Sequence, residues 1–192
     1  GLRMLRLREV EVVMIGASEA TSEAPYALAG FRNMTALSTR GVSQPFDRDR
    51  DGFIPGEGAG MMVVETLDSA LRRGAIPLAE FAGYGSSSDC GDITQPDKKG
   101  AGLKLAIDQA LEMAGLSYEE IEHINAHGTS TDLNDAAEAL VFKERFPNRP
   151  FITSIKGGTG HALGAAGALE AIATILAVRN GKVPHINNLD NV

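Results

Sequence analysis

The sequence predicts an α/β fold with a largely parallel sheet, on three observations. From residue 78 onward, apolar strand-like runs alternate with helical patterns, an order that predicts parallel strands with helices on their faces. Two of those runs end in glycine- and threonine-rich turns that carry a histidine, His127 and His161. Glycine is high, at 22 of 192 residues, with no collagen-like period, which suits tight turns and helices packed closely on a sheet.

Taken in order, Gly1–Arg8 reads as the end of an amphipathic helix, with Leu2, Leu5 and Met4 on one side. Val10–Ile15 is an apolar run that suits a strand buried on both faces of a parallel sheet, and Gly16–Ala20 a small-residue loop after it. Pro25–Leu37 reads as a helix and a turn around Gly30-Phe31. Leu37–Gly52 is a polar loop whose alternating charges, Asp47 to Asp51, suit local exposed ion pairs. Gly58–Glu65 is a strand, Thr66–Gly74 a helix and Leu78–Ser86 another strand. Ala101–Ala114 is a helix closed by Gly115, with Leu103, Ile107, Ala110 and Leu111 as its buried stripe. Ser117-Tyr118-Glu119-Glu120 is a capping-box pattern before the strand Ile121–Ala126. Asp132–Phe146 is a helix, Phe151–Ile155 a strand, and His161–Asn180 a core helix, apolar nearly all round. Pro184–Val192 runs out as an extended tail. The order divides into residues 1–77, the end of one α/β unit, and 78–192, most of a second.

Charge and composition exclude several classes. The formal net charge is -7 and no Lys/Arg run is concentrated, which argues against nucleic acid as a partner. No apolar run reaches eighteen residues, so no membrane span is expected, and the N-terminus lacks a signal-peptide core. With one cysteine, Cys90, no internal disulfide is possible, which fits a reducing compartment. Cys90 lies in a polar loop with no strand-to-helix elbow around it, a poor setting for a nucleophile. The Asp47–Asp51 aspartates do not have EF-hand spacing, so calcium is not expected. A zinc site from His127 and His161 would need a third ligand that is not evident. Gly157–His161 lacks the Walker spacing of a phosphate loop.

The chemical content is therefore His127, Lys156 and His161. In open α/β sheets ligands bind at the C-terminal ends of strands, where all three fall. A helix N-terminus disfavours imidazolium, so His161, at the predicted helix start, should stay neutral. Two neutral imidazoles donating Nε2–H toward one point suit a developing oxyanion or enolate, with Lys156 adding positive charge. Glu138 is either a solvated helical glutamate or a carboxylate that holds Lys156 or a histidine in place. His123, inside a strand, and His185, in the tail, are read as structural or exposed.

Asn125-Ala126-His127-Gly128-Thr129-Ser130-Thr131, followed by Asn134, Asp135 and Glu138, resembles the first histidine motif of β-ketoacyl-acyl-carrier-protein synthases. Lys156-Gly157-Gly158-Thr159-Gly160-His161 resembles their lysine and second-histidine motif, and Ala36–Arg40 with Phe46–Gly60 resembles their central stretch. The resemblance covers essentially the whole chain and is closest to the elongating type, similar to synthase II and polyketide ketosynthases. It implies an incomplete thiolase-like fold, layered α-β-α-β-α, with the end of its first half at 1–77 and the second half, short of its last strands, at 78–192. It implies decarboxylative condensation of malonyl-carrier protein with an acyl-enzyme thioester, with His127 and His161 as catalytic histidines, Lys156 supporting the second and Glu138 stabilising the site. By the same resemblance Thr129 and Thr131 contact the pantetheine arm and Phe31 lines the acyl pocket.

The family's cysteine nucleophile and its C-terminal gating loop would lie outside this chain, which alone is expected to be inactive. The resemblance implies no metal and no cofactor beyond the phosphopantetheine of acyl carrier protein. Carrier protein is the implied partner, docking on Arg32, Arg40, Arg48 or Arg50, and the complete enzyme is expected to be a homodimer or to assemble with the missing part. The implied compartment is the cytoplasm, or a plastid or mitochondrion in a eukaryote. Two alternatives stay open: a non-catalytic partner resembling a chain-length factor, and a thiolase-type enzyme using coenzyme A.

Overall fold

The computed structural model describes residues 1–23 and 25–192. The first part holds α1 (Leu2–Arg6), β1 (Val12–Glu19), α2 (Pro25–Asn33), β2 (Gly58–Glu65) and α3 (Leu67–Arg72). The second holds α4 (Ala101–Ala114), β3 (His123–Asn125), α5 (Asp132–Arg145), β4 (Phe151–Thr153), α6 (Lys156–Thr159) and α7 (Ala166–Asn180).

β1 departs from expectation in two ways. It continues through Gly16, Ala17 and Ser18 to Glu19, and it pairs antiparallel with β2, Val12 opposite Glu65 and Glu19 opposite Gly58. The small residues look like a loop in sequence, but their backbone finds partners in the equally small Gly58–Gly60. An antiparallel pair can leave one face open, and alternate residues of β1 are exposed accordingly. Met14, Met61 and Val63 stand on the open face, while β2 packs its other face on α7.

β3 and β4 are parallel, as the alternation predicted, with His123 opposite Phe151 and Asn125 opposite Thr153. Behind them Ala126, Val141, Phe142 and Phe146 form the buried core, with Leu103, Ile107 and Ile124 packed against it. Burying each of these large side chains contributes about 1.5–3 kcal/mol. α4 ends as expected at Gly115, in the left-handed conformation. The Ser117–Glu120 capping box is present, Ser117 N–H donating to the Glu120 carboxylate at 2.8 Å.

Leu78–Ser86 forms no strand. It lies along α4: Ser86 N–H donates to Gln109 at 2.9 Å, and Gly85 approaches the Ala106 carbonyl too closely to carry a side chain. Its glycines thus serve a close helix contact rather than a ladder.

The helix expected from His161 begins later. Residues Leu163–Ala165 form a 3-10 turn, with Leu163 at φ +39°, and α7 starts at Ala166. α7 is not enclosed all round. Ala166, Ala168 and Ala177 are buried, but Leu176 and Val178 are 47% and 62% exposed. Leu163–Asn180 is long and apolar enough, by length and composition, to cross a membrane. Here one side of α7 rests on β2, and Glu170 within it forms an ion pair with buried Lys156.

The charged loop also differs from a set of exposed pairs. Asp47 is fully buried and accepts N–H bonds from Asp49, Asp190 and Asn191 at 2.7–2.9 Å. The bonds from Asn191 and Asp49 hold its carboxyl below the usual range. Arg50 donates to the carbonyls of Asp47, Thr131 and Asp132. A buried aspartate capping three backbone amides is a scaffold, and it brings the 43–56 loop and the tail together.

Candidate active site

β3 delivers the first histidine. Ala126 N–H still bonds Thr153 O at 2.8 Å, and the chain then turns, with Gly128 at φ +46° and Ser130 at φ +67°. A side chain at Gly128 would overlap Ser154, whose hydroxyl donates to Gly128 O at 2.9 Å. The first turns of α5 stabilise this loop from behind. Glu138, buried, accepts the N–H groups of both His127 and Gly128 at 2.7 Å, and the Asn134 amide at 2.8 Å. Asp135, also buried, accepts Ser130 N–H at 3.1 Å and Phe46 N–H at 2.8 Å. Burial pushes both carboxyls up against these bonds. Glu138 is therefore not solvated; of the two residues it was expected to hold, it holds the histidine, through the backbone and not the ring. It fixes the backbone from which His127 projects.

Lys156 opens α6 and is 1% exposed, the largest fully buried side chain described. Its ammonium donates to the Glu170 carboxylate, to His127 O at 2.5 Å and to His127 Nδ1 at 3.4 Å. Glu170, reaching in from α7, is the carboxylate partner that sequence reasoning missed. Its signal was present: it is the one acidic residue in a largely apolar helix. Burial raises its pKa even though Lys156 opposes this.

His161 is 9% exposed and sits on a bridge to Pro55 rather than at a helix N-terminus. Its N–H donates to Ile54 O at 2.8 Å and its carbonyl accepts Gly56 N–H at 3.0 Å. The expected neutrality holds for a different reason. Burial first, then the Lys156 charge, then His127, hold its pKa at about 3. His127 is more exposed than His161, and its pKa is lowered less, to about 4, by partial burial and then by Lys156.

The two rings meet edge to face, centroids 5.2 Å apart, and Phe53 packs edge-on against His161 at 5.0 Å. Their tautomers follow from their neighbours. Leu163 N–H donates to His161 Nδ1 at 3.2 Å, and the Lys156 ammonium faces His127 Nδ1. Each Nδ1 is thus an acceptor, which leaves the proton on Nε2 in both neutral rings. Two adjacent rings, each with an Nε2–H donor, suit charge that develops on a bound oxygen.

Among the other candidates, Thr129 and Thr131 bond to each other through their hydroxyls at 2.8 Å, with Thr129 buried. Phe31 packs edge-on against Phe53 at 5.3 Å and so reaches His161 through one ring. Cys90 is exposed, its thiol 3.7 Å from Ser88 O. His123 is a structural residue, its Nε2 2.8 Å from the Thr153 hydroxyl and its pKa lowered by burial. His185 is exposed in the tail. Arg40 and Arg48 are engaged with the carbonyls of Asp49 and Val192. Among the described residues no three His, Cys, Asp or Glu side chains group as metal ligands.

Residues 78–190 match the family described as beta-ketoacyl synthase, C-terminal domain, and residues 1–70 match its N-terminal domain. The chain belongs to the β-ketoacyl synthase family. A 3-oxoacyl-[acyl-carrier-protein] synthase homolog of Saccharomyces cerevisiae is 46% identical over 98% of this chain and 44% of its own length. The mitochondrial 3-oxoacyl-[acyl-carrier-protein] synthase of Arabidopsis thaliana is 44% identical over 98% of this chain and 43% of its own. This β-ketoacyl synthase chain therefore spans less than half the length of these relatives. A type II polyketide ketosynthase solved with its acyl-carrier protein superposes with a TM-score of 0.94 at 33% identity, covering 99% of this chain and 48% of that one. A β-ketoacyl synthase from Burkholderia phymatum gives 0.88 at 33% identity, covering 99% and 50%. The fold is thiolase-like.

Proposed function

We propose that this chain supplies the decarboxylation site of a β-ketoacyl-acyl-carrier-protein synthase. The observation that carries this reading is the pair of neutral histidines, each with its Nδ1 accepting and its Nε2–H free to donate. A malonyl thioester would place its carbonyl oxygen between the two Nε2–H groups. The bond from Cα to the carboxylate breaks, CO2 leaves, and the electron pair becomes an enolate whose oxygen both histidines stabilise. The enolate carbon attacks the carbonyl of an acyl group held as a thioester on the enzyme's cysteine. The tetrahedral intermediate collapses, expels the thiolate, and leaves a β-ketoacyl thioester. No residue of this chain is assigned as that cysteine.

Lys156 adds its charge to burial in keeping both rings neutral and anchors His127 through its carbonyl. Glu138 fixes the His127 backbone. Thr129 and Thr131 are assigned to the pantetheine arm and Phe31 to the acyl pocket. The partner is acyl carrier protein, whose phosphopantetheine carries the substrates, and no other cofactor is assigned. We assign residues 1–77 to the first half of the family fold and 78–192 to the second. The relatives' names include a mitochondrial enzyme, and we assign this chain to the cytoplasm, a mitochondrion or a plastid. Solved neighbours also include ketosynthase and chain-length-factor complexes. The presence of His127, Lys156 and His161 together favours the catalytic subunit over a chain-length factor.

The test is malonyl-thioester decarboxylation by the complete polypeptide. His161→Ala should lower the rate by about 10²–10³, the loss expected of one oxyanion donor. An unchanged rate would remove His161 from the mechanism.

A further inference from the structure

The tail, read from sequence as a plain extended run, makes specific bonds at the site. Asn188 takes the left-handed conformation, φ +65°, which asparagine tolerates better than most residues. Its amide donates twice, to Ser43 O at 2.9 Å and to Gly157 O at 2.9 Å. Gln44 returns a bond to Asn188 O at 3.4 Å. Beyond it, Asp190 and Asn191 donate their N–H groups to buried Asp47, and Arg48 N–H donates to Asn191 O at 2.7 Å. Asn187 lies so close over α6 that a methyl group on Gly157 would overlap its carbonyl.

The two bonds from Asn188 end on opposite sides of the Lys156–His161 turn. Gly157 O belongs to the residue after Lys156. Ser43 leads to the other side: its hydroxyl accepts Ile54 N–H at 2.9 Å, and Ile54 O accepts His161 N–H at 2.8 Å. A single amide thus ties the lysine end of the turn to the loop that carries the histidine end.

We propose that residues 187–191 form a strap and that Asn188 is a positioning residue, setting Lys156 and His161 relative to each other for decarboxylation. The proposal deepens the reading of the site given above and rests on it. Small displacements of a reacting group cost rate steeply, up to about 10²-fold for 1 Å. Loading of an acyl group onto the enzyme's cysteine is a separate step that serves as an internal reference.

The experiment compares acyl loading and malonyl-thioester decarboxylation in the complete enzyme, with decarboxylation expressed per loaded molecule. Asn188→Gly keeps the left-handed backbone and removes both donors. It should load normally and decarboxylate ~10-fold more slowly. Asn188→Asp keeps shape and backbone but sets a carboxylate against two carbonyls, and should lose more. Equal losses in both steps, or unchanged decarboxylation, would overturn the strap. So would failure of both variants to fold, which would make Asn188 a folding residue. His161→Ala runs alongside: if it leaves decarboxylation intact, the reading of the site itself falls, and the Asn188 result is not needed to see it.

Discussion

The site and the β1/β2 sheet make opposite use of their side chains. Around the two histidine turns, the fully buried residues are largely polar: Lys156, Asp47, Asp135, Ser130 and Ser154. Their hydrogen bonds run to backbone groups of other loops, so the 43–56 loop, both turns and the tail become one unit. On the sheet, apolar residues remain open: Met14 is 69% exposed, Met61 65% and Val63 59%. A contiguous apolar patch of this kind marks a packing or interaction face. The site's geometry is therefore set by directed polar contacts within this chain, whereas the sheet's outer face has only the non-directional drive to be covered.

The strongest way to break that contrast is to remove one charge from the site. Lys156→Met would leave the partly buried Glu170 carboxylate without its partner, at a cost of up to about 3–5 kcal/mol. Lys156→Met with Glu170→Leu should recover most of that stability while the proposed decarboxylation stays low. Thermal unfolding of the two variants checks the first part, and a double mutant no more stable than the single one would contradict it.

The histidines sharpen the contrast through pH. His161 binds a proton with a pKa of about 3 when folded and about 6.5 when unfolded. Between those values the unfolded chain holds the extra proton, so stability falls as pH drops below about 6.5. The shift implies up to about 2 kcal/mol lost from pH 7 to pH 5. Glu138, Glu170 and Asp135, with raised pKa values, act in the opposite direction. His161→Gln isolates the histidine: its stability should change less over that interval than the wild type's. Equal losses would mean that the ring is not held neutral by burial.

The smallest effect is expected on the open sheet. Met14→Lys should alter stability by no more than about 0.5 kcal/mol and reduce self-association in light scattering. A loss of several kcal/mol would show Met14 packed rather than open.

Much of this was legible in the sequence where periodicity or caps signalled it. Gly58–Glu65 and Ala101–Ala114 appear with the bounds read from pattern alone. The three chemical residues were visible because each stands in a glycine-rich turn. What escaped depended on distant partners. Gly16–Glu19 needed β2 to become strand, and Leu78–Ser86 needed α4 to become a helix contact. Glu170 and Asp47 were hidden because a charge in a helix or a loop looks solvated until its partner, 14 or 143 residues away, is known. His161 was expected to be neutral for the wrong reason: burial and Lys156 do what the helix N-terminus was expected to do.

The bond that fixes the His161 tautomer comes from the backbone of Leu163. Every side-chain substitution at 163 leaves that N–H in place except proline, which has none and cannot adopt a φ of +39°. A scan that trims side chains one at a time would pass over residue 163 as inert. Replacing its peptide nitrogen with an ester oxygen would expose what it does, because the proton on His161 would then be free to settle on either nitrogen.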